Sequence, residues 1–445
     1  MKRLWDKGAG IDEVVHHFTV GDDPILDREL LYWDCIGSAA HARGLVTAGL
    51  LDEKQCGDLL AALHDLAELA QRGELTIPPE LEDGHTLIES ELEKRIGEAG
   101  RRIHAGRSRN DQIATAMRLW MRSATLEMLD ALSTFMTALR GRIADDGDTP
   151  VPGFTHMQPA MPSSVGQWLH ALFEAGLEQM RAGLDLLSRL DSCPLGTGAG
   201  FGVSLNLDRA HTAELLGFSG PQRSPIDVQN SRGRKERYFV RVAVDVGALI
   251  EKLACDCMLL FSPPLALIGL PDEFTTGSSI MPQKRNPDVL ELMRARGAAM
   301  RSLETELNWV TAKLPSSYHR DLQLTKRPTL RAANEALGLL DVATRVVLAF
   351  TLNHDRLRDA MIPELYATEA AFELVRGGTP FRDAYREVAA RIKAGALKAP
   401  ARAEAGLADP DALNEALSEF EALALRTHEV RDRVRQAEFA IFSPD

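Results

Sequence analysis

The sequence predicts an all-α protein, a long central helical bundle with a smaller, mostly helical domain at each end. Three observations carry that expectation. Apolar residues recur at three- and four-residue steps over long stretches between Ile113 and Leu352, Gly and Pro are sparse inside most of those stretches, and segments with strand character are few and short. Helices far beyond the usual three or four turns favour an extended bundle over a compact sheet-based fold.

The elements follow in chain order. Residues 1–103 hold short helical patterns separated by turns and form the N-terminal domain. The central domain spans 104–352. Its first helix runs through Ile113–Ile143, where Met117, Trp120, Ala124, Met128, Leu132, Phe135, Leu139 and Ile143 make one apolar stripe. A second helix starts after Pro162, where Ser164 and Gln167 have capping-box spacing, and continues to Leu190. Gly166, Gly176 and Gly183 interrupt it, and in a bundle such small residues let a neighbouring helix approach closely. A third pattern covers Glu236–Phe261. A fourth opens at Asn286 and Pro287, read as N-cap and first helical residue, and reaches Lys313. A fifth runs from Thr329 to Leu352. Phe201–Leu207 and Leu265–Leu270 are the candidate extended pieces. Residues 353–445 form the C-terminal helical domain, and there is no internal repeat.

With 45% hydrophobic and 26% charged residues, the chain has the material for a large core. A net charge of -13 and a pI near 5.5 argue against nucleic acid as the main partner, since a phosphate backbone needs clustered positive charge. The basic stretch Arg101–Arg109 is the local exception. Met1–Gly10 has no apolar core of signal-peptide length, and charges such as Arg241, Asp245, Glu251 and Asp256 interrupt the longest apolar segments, so neither secretion nor a membrane partner is expected. The five cysteines, Cys35, Cys56, Cys193, Cys255 and Cys257, lack metal-type spacing and read as free thiols in the cytoplasm. No metal-ligand cluster, phosphate-binding loop or dinucleotide fingerprint is present, so neither metal nor cofactor is expected.

The sharpest local signal is Gly277-Ser278-Ser279-Ile280-Met281-Pro282-Gln283-Lys284-Arg285-Asn286-Pro287. A glycine and two serines make a mobile loop, and Lys284 sits just before a helix start, where the helix end and a full charge together suit an anion. A plain loop with Asn286 as a helix cap is the alternative. A second cluster is His104-Ala105-Gly106-Arg107-Ser108-Arg109-Asn110-Asp111-Gln112, which on its own also fits a solvated basic turn. A third is Val151-Pro152-Gly153-Phe154-Thr155-His156-Met157-Gln158-Pro159; a lone histidine such as His156 is more often structural or exposed than catalytic.

The 277–287 segment resembles the signature of the fumarase/aspartase superfamily, Gly-Ser-x-x-Met-Pro-x-Lys-x-Asn, at every fixed position. The 104–112 segment resembles the argininosuccinate lyase motif, with Ala105 the one change, and 151–159 is similar to that family's Pro-Gly-Tyr-Thr-His-x-Gln. Leu4-Trp5, Gly37–Gly44, Pro194–Gly198, Leu314–Lys326, Tyr366-Ala367-Thr368 and Pro380-Phe381-Arg382 extend the likeness over nearly the whole chain. The resemblance implies the all-α superfamily fold, a homotetramer with active sites shared between subunits, and elimination of arginine from argininosuccinate to leave fumarate, the last step of arginine biosynthesis.

The resemblance also implies roles. Ser278 matches the proton-abstracting base, with His156 as the assisting acid and Glu291 as its carboxylate partner; older assignments give His156 the base role. Lys284 and Asn286 match groups that hold the carboxylate gathering charge. Asn110, Thr155, Tyr318, Gln323 and Lys326 map onto substrate contacts, and Ser108 and Arg109 lie in the same binding motif. His85, in Asp83-Gly84-His85-Thr86, resembles another active-site histidine, with a polar helix start as an equal reading. The sequence departs from the family in three places. Phe18 is followed by Thr19-Val20-Gly21-Asp22-Asp23 with no serine, so that substrate contact does not transfer. Asp227–Lys235 replaces a family segment, leaving Arg232 to take its arginine's place. After Gln323, Leu324-Thr325-Lys326 stands for Glu-Asp-Lys. Adenylosuccinate lyase, which carries histidine at the Gln283 position, and an inactive crystallin-like homologue are the competing readings.

Overall fold

A computed structural model describes residues 12–78, 80–399 and 410–443; Leu4-Trp5 and the Met1–Gly10 start lie outside the described residues. The N-terminal part contains α1 (Glu13–Val20), α2 (Asp23–Leu26), α3 (Leu31–Thr47), α4 (Glu53–Gln71), α5 (Gly84–Ile96) and α6 (Glu98–Arg102). The central part follows with α7 (Arg109–Asp146), a hairpin of β1 (Pro150–Thr155) and β2 (Gln158–Ser164), then α8 (Val165–Leu190), α9 (Arg209–Leu215), α10 (Pro225–Asn230) and α11 (Arg234–Phe261). It continues through β3 (Ile268–Gly269), α12 (Asp288–Ala299), α13 (Arg301–Val310), α14 (Lys326–Ala349) and β4 (Thr351–Leu352), which pairs with β3. Last come α15 (His354–Ala360), α16 (Ala367–Arg376), α17 (Phe381–Lys393) and α18 (Pro410–Ala440). The fold is all-α, as the sequence implies.

The long helices start where capping chemistry puts them. Ser108 and Asp111 form a full capping box on α7, and Ser164 Oγ accepts the Gln167 N–H at 3.1 Å on α8. Helix α8 then runs back along α7, with Gly166 against Gly147, Gly176 against Met136 and Gly183 against Leu129. A Cβ on Gly183 would lie 2.6 Å from Leu129 Cδ2, so glycine there sets the interhelix distance. Helix α11 reverses again: Lys235 near its start reaches the Arg189 carbonyl at the end of α8, while Trp168 near the start of α8 bonds Asp256 near its finish, at 3.1 Å. Helix α12 turns back along α11, with Gly297 against Gly247 and Arg301 paired to Glu251, and α14 returns once more. The starts of α7, α11 and α14 therefore share one end of the bundle, the near end. The hairpin, the 277–286 loop and Phe350 share the other, the far end.

Several expectations are corrected. Phe201–Leu207 forms no strand, because the positive φ angles of Gly198, Gly200 and Gly202 turn the chain repeatedly. Leu265–Leu270 contributes only β3. The β1–β2 hairpin went unanticipated, since Pro150, Pro152, Pro159 and Pro162 argue against strands; a two-stranded ribbon tolerates them because each strand keeps an edge that needs no N–H. The fourth helical pattern opens at Asp288 rather than Asn286, because the Asn286 backbone is held in a bridge with Thr276, and it is two helices, α12 and α13, parted at Met300 and ending at Val310. Helix α14 stops at Ala349, where Phe350 turns extended into β4.

The C-terminal part divides. Helices α16 and α17 pack around a small core of Ala371, Ala384 and Val388. Helix α18 lies back on α7 and α8, with Arg181 paired to Glu419 at 2.6 Å. Cys35, Cys193, Cys255 and Cys257 are free thiols, and no described helix is long and apolar enough to cross a membrane.

Candidate active site

The far end carries the hairpin turn with His156 and the loop with Ser278. His156 and Met157 form the two-residue connection of the hairpin, between the paired Thr155 and Gln158, with φ of 53° and 61°. This is the turn that asks for positive φ at both central positions and usually takes Asn-Gly. A histidine and a methionine there cost about 1 kcal/mol each, and such local strain concentrates at functional positions. The turn projects His156, beside the equally exposed Thr155, off the end of the bundle.

The 277–286 loop is closed at its neck. Thr276 and Asn286 exchange backbone hydrogen bonds of 3.0 and 2.8 Å, and the Asn286 amide donates to the Gly277 carbonyl at 3.2 Å. Arg285 donates to the Leu270 carbonyl at 2.8 Å and pairs with Asp272. Inside this clasp the chain turns on itself, so that Ser278 Oγ accepts the N–H groups of Met281 at 3.1 Å and Ile280 at 3.3 Å. Two donors aimed at one hydroxyl oxygen favour its anionic form. Lys284 and Glu291 line an adjoining cavity of about 1210 Å³ with Asn286, Leu352, His354 and Asp355.

The near end carries the starts of α7, α11 and α14. Ser108 caps α7, and Asn110 stands half-buried on its first turn. Asp111 is fully buried and accepts backbone N–H groups from Ser108 at 2.8 Å, Gly196 at 3.1 Å and Gly198 at 2.8 Å, which fixes the helix start to the glycine-rich loop. Burial pushes its carboxyl above the usual range, and the N–H groups of Ser108 and Gly198 and the charge of Arg107 oppose the rise. Arg109 is tied to the start of α5, donating to Asp83 at 3.1 Å and Thr86 at 3.0 Å. His85, on the first turn of α5, is buried and pairs with Asp34. Burial pushes its pKa down, but the carboxylates of Asp34, Asp83 and Asp27 outweigh that and the net direction is up.

Lys326, at the start of α14, is buried between Asp27 at 2.5 Å and Asp23 at 2.9 Å. Gln323 donates to the carbonyls of Thr19 at 3.1 Å and Val20 at 2.8 Å. Arg232 is buried, pairs with Glu236 at 3.2 Å and donates to the Leu322 carbonyl, while Tyr318 stays half-buried in the connection before α14.

One chain thus gathers the candidate site residues into two groups and keeps the groups apart. Ser278, His156, Thr155, Lys284, Asn286 and Glu291 lie at the far end; Ser108, Arg109, Asn110, His85, Arg232, Tyr318, Gln323 and Lys326 lie at the near end. Helix α7 has 38 residues, which at 1.5 Å each is about 57 Å. Sequence reasoning missed Asp27 and Asp34, which hold Lys326 and His85. Their available signal was two aspartates seven positions apart in the largely apolar stretch Leu26–Leu45. Among the described residues, no group of three or more His, Cys, Asp or Glu side chains is arranged to hold a metal ion.

A family model described as lyase matches residues 12–301. The argininosuccinate lyase of Sorangium cellulosum (strain So ce56) is 44% identical over 92% of this chain and 95% of its own length. That of Stenotrophomonas maltophilia (strain K279a) is 39% identical over 95% of this chain and 99% of its own. Among solved structures, EDDS lyase in complex with formate superposes with a TM-score of 0.79 at 22% identity, covering 97% of this chain and 95% of that one. A class II fumarase from Schistosoma mansoni gives 0.70 at 16% identity, covering 91% and 94%. These structures support the fold.

Proposed function

The chain belongs to the argininosuccinate lyase family, and we propose that it splits argininosuccinate into L-arginine and fumarate with the groups gathered at the two ends of its bundle. The reversible elimination needs a base for the weakly acidic proton beside a succinyl carboxylate, fixed positive charge where the electron pair is held, and an acid for the departing nitrogen. The observation that carries the reading is Ser278 Oγ with two backbone N–H groups directed at it, an oxygen prepared to be anionic.

Ser278 takes the proton from carbon, and the electron pair moves into the adjacent carboxylate, where Lys284 supplies the positive charge. Asn286 serves this step through the neck of the loop. Collapse of that intermediate forms the carbon–carbon double bond and breaks the carbon–nitrogen bond, and His156, oriented by Glu291, returns a proton to the guanidino nitrogen. No electrons are gained or lost overall. Asn110, Thr155, Tyr318, Gln323 and Lys326 contact the substrate, with Ser108, Arg109, His85 and Arg232 shaping that end of the site.

Because the two groups of residues sit at opposite ends of a bundle tens of ångströms long, a complete site requires the near end of one copy to meet the far end of another. A homotetramer with subunits in opposite directions supplies this, and exposed apolar side chains such as Met157, Ile280, Leu292 and Trp309 give such an assembly surface to bury. The free thiols of Cys35, Cys193, Cys255 and Cys257 fit a cytoplasmic setting. The relatives do not favour adenylosuccinate cleavage or a purely structural role. The test is purified protein with argininosuccinate, followed by fumarate absorbance in the presence of a chelator. Turnover supports the reading; good turnover of adenylosuccinate with none of argininosuccinate overturns it.

A further inference from the structure

The three-residue cluster around Lys326 holds more acid than the reaction needs. Asp27 is part of the frame: it is 3% exposed, and its second oxygen accepts the Gly84 N–H at 3.1 Å, tying α5 to α14. Asp23 is the member of the cluster that reaches solvent, with its side chain 16% exposed. The segment that carries it cannot swing away. Asp22 is paired with Arg327, Gln323 holds the carbonyls of Thr19 and Val20, and Arg320 donates to the Thr19 carbonyl at 2.7 Å. The departing Thr19–Asp23 segment is therefore held by Arg320, Gln323, Lys326 and Arg327, which flank the departing Leu324 and Thr325.

The charges decide what this corner accepts. Two carboxylates against one ammonium leave an excess negative charge, so a ligand that offers only a carboxylate to Lys326 meets Asp23 beside it and is repelled. A ligand that carries an ammonium next to its carboxylate satisfies both groups at once. Such a head exists on the arginine half of argininosuccinate, whose α-ammonium and α-carboxylate sit on one carbon.

We propose that Asp23 is a specificity-determining residue, which together with Lys326 reads the zwitterionic amino-acid head of the leaving arginine. This rests on the placement of Lys326 in the substrate site under the proposed function. Burial lifts the Asp23 carboxyl to about 6, with Lys326 opposing the rise and Asp27 and Asp83 adding to it, so it is ionised and available to an ammonium at neutral pH.

The test uses the reverse reaction at neutral pH, with fumarate and either arginine or 5-guanidinopentanoate, which is arginine without its α-amino group. The wild-type protein prefers arginine. Asp23→Asn raises the KM for arginine about tenfold, leaves kcat within about twofold and removes most of the preference, the loss of one charge-assisted contact. Asp23→Glu retains the preference. Melting temperatures check folding, which Asp23→Asn should preserve because it relieves repulsion with Asp27. Addition of arginine with an unchanged preference in Asp23→Asn overturns the inference alone. Failure of the wild-type protein to join fumarate and arginine overturns the proposed function, and the inference with it.

Discussion

Replacing Asp111 with alanine removes a carboxylate that accepts three hydrogen bonds at the place where the α7 start meets the glycine-rich loop. The N–H groups of Ser108, Gly196 and Gly198, at 2.8, 3.1 and 2.8 Å from the carboxylate, are left without it. A buried donor deprived of its partner costs about 1–3 kcal/mol, so with some relaxation the three together give about 3–6 kcal/mol. The buried Arg107 also loses a nearby negative charge. Urea unfolding followed by circular dichroism, at matched protein concentration, should show that loss as a lower midpoint with an unchanged slope. Asp111→Asn, which keeps one acceptor oxygen, should fall between. A loss below about 1 kcal/mol for the alanine variant would refute the account of how the near end is held.

Further outcomes follow from single contacts. Ser278→Ala should lower kcat by about 10²–10⁴-fold with KM changed little, measured by fumarate release; near-wild-type kcat would remove Ser278 as the base. Gly183→Ala should destabilise by about 1–3 kcal/mol in thermal unfolding, because the new Cβ meets Leu129 at 2.6 Å; an unchanged melting temperature contradicts the close packing. His85 has a raised folded-state pKa, so the stability from its ion pair with Asp34 is fully present below its ordinary 6.5 and is lost as pH rises through the raised value. The urea midpoint should therefore fall more between pH 6.5 and 9 in the wild type than in His85→Gln, and parallel profiles would count against the pairing.

The central helices were legible because a stripe such as Met117 to Leu139 has one period and one explanation, and because Ser164 and Gln167 announce a start in the sequence itself. The hairpin was not legible, since its prolines carry the opposite local signal and only the pairing of Pro150–Thr155 with Gln158–Ser164 overrides it. Asn286 shows the same limit: its local context reads as a helix cap, whereas a backbone pairing with Thr276, ten residues earlier, makes it the clasp of a loop. Ser278, Lys284 and His156 were found by segment likeness, but the two N–H groups on Ser278 and the strained turn under His156 are three-dimensional facts. Asp23 and Asp27 act on Lys326 across about three hundred residues of chain, and no spacing rule reaches that far.

The claim that one chain cannot hold a whole site is tested most directly by pairing defects from opposite ends. Asn110→Ala, at the near end, and Ser278→Ala, at the far end, should each leave little activity as separate homo-oligomers. When the two variants are co-expressed, a site can draw Asn110 from one copy and Ser278 from another. With random equal mixing and two independent requirements, about a quarter of the sites should be whole, and roughly a quarter of wild-type activity should return. Hybrids that demonstrably form, yet show no more activity than the separate variants, would contradict the account.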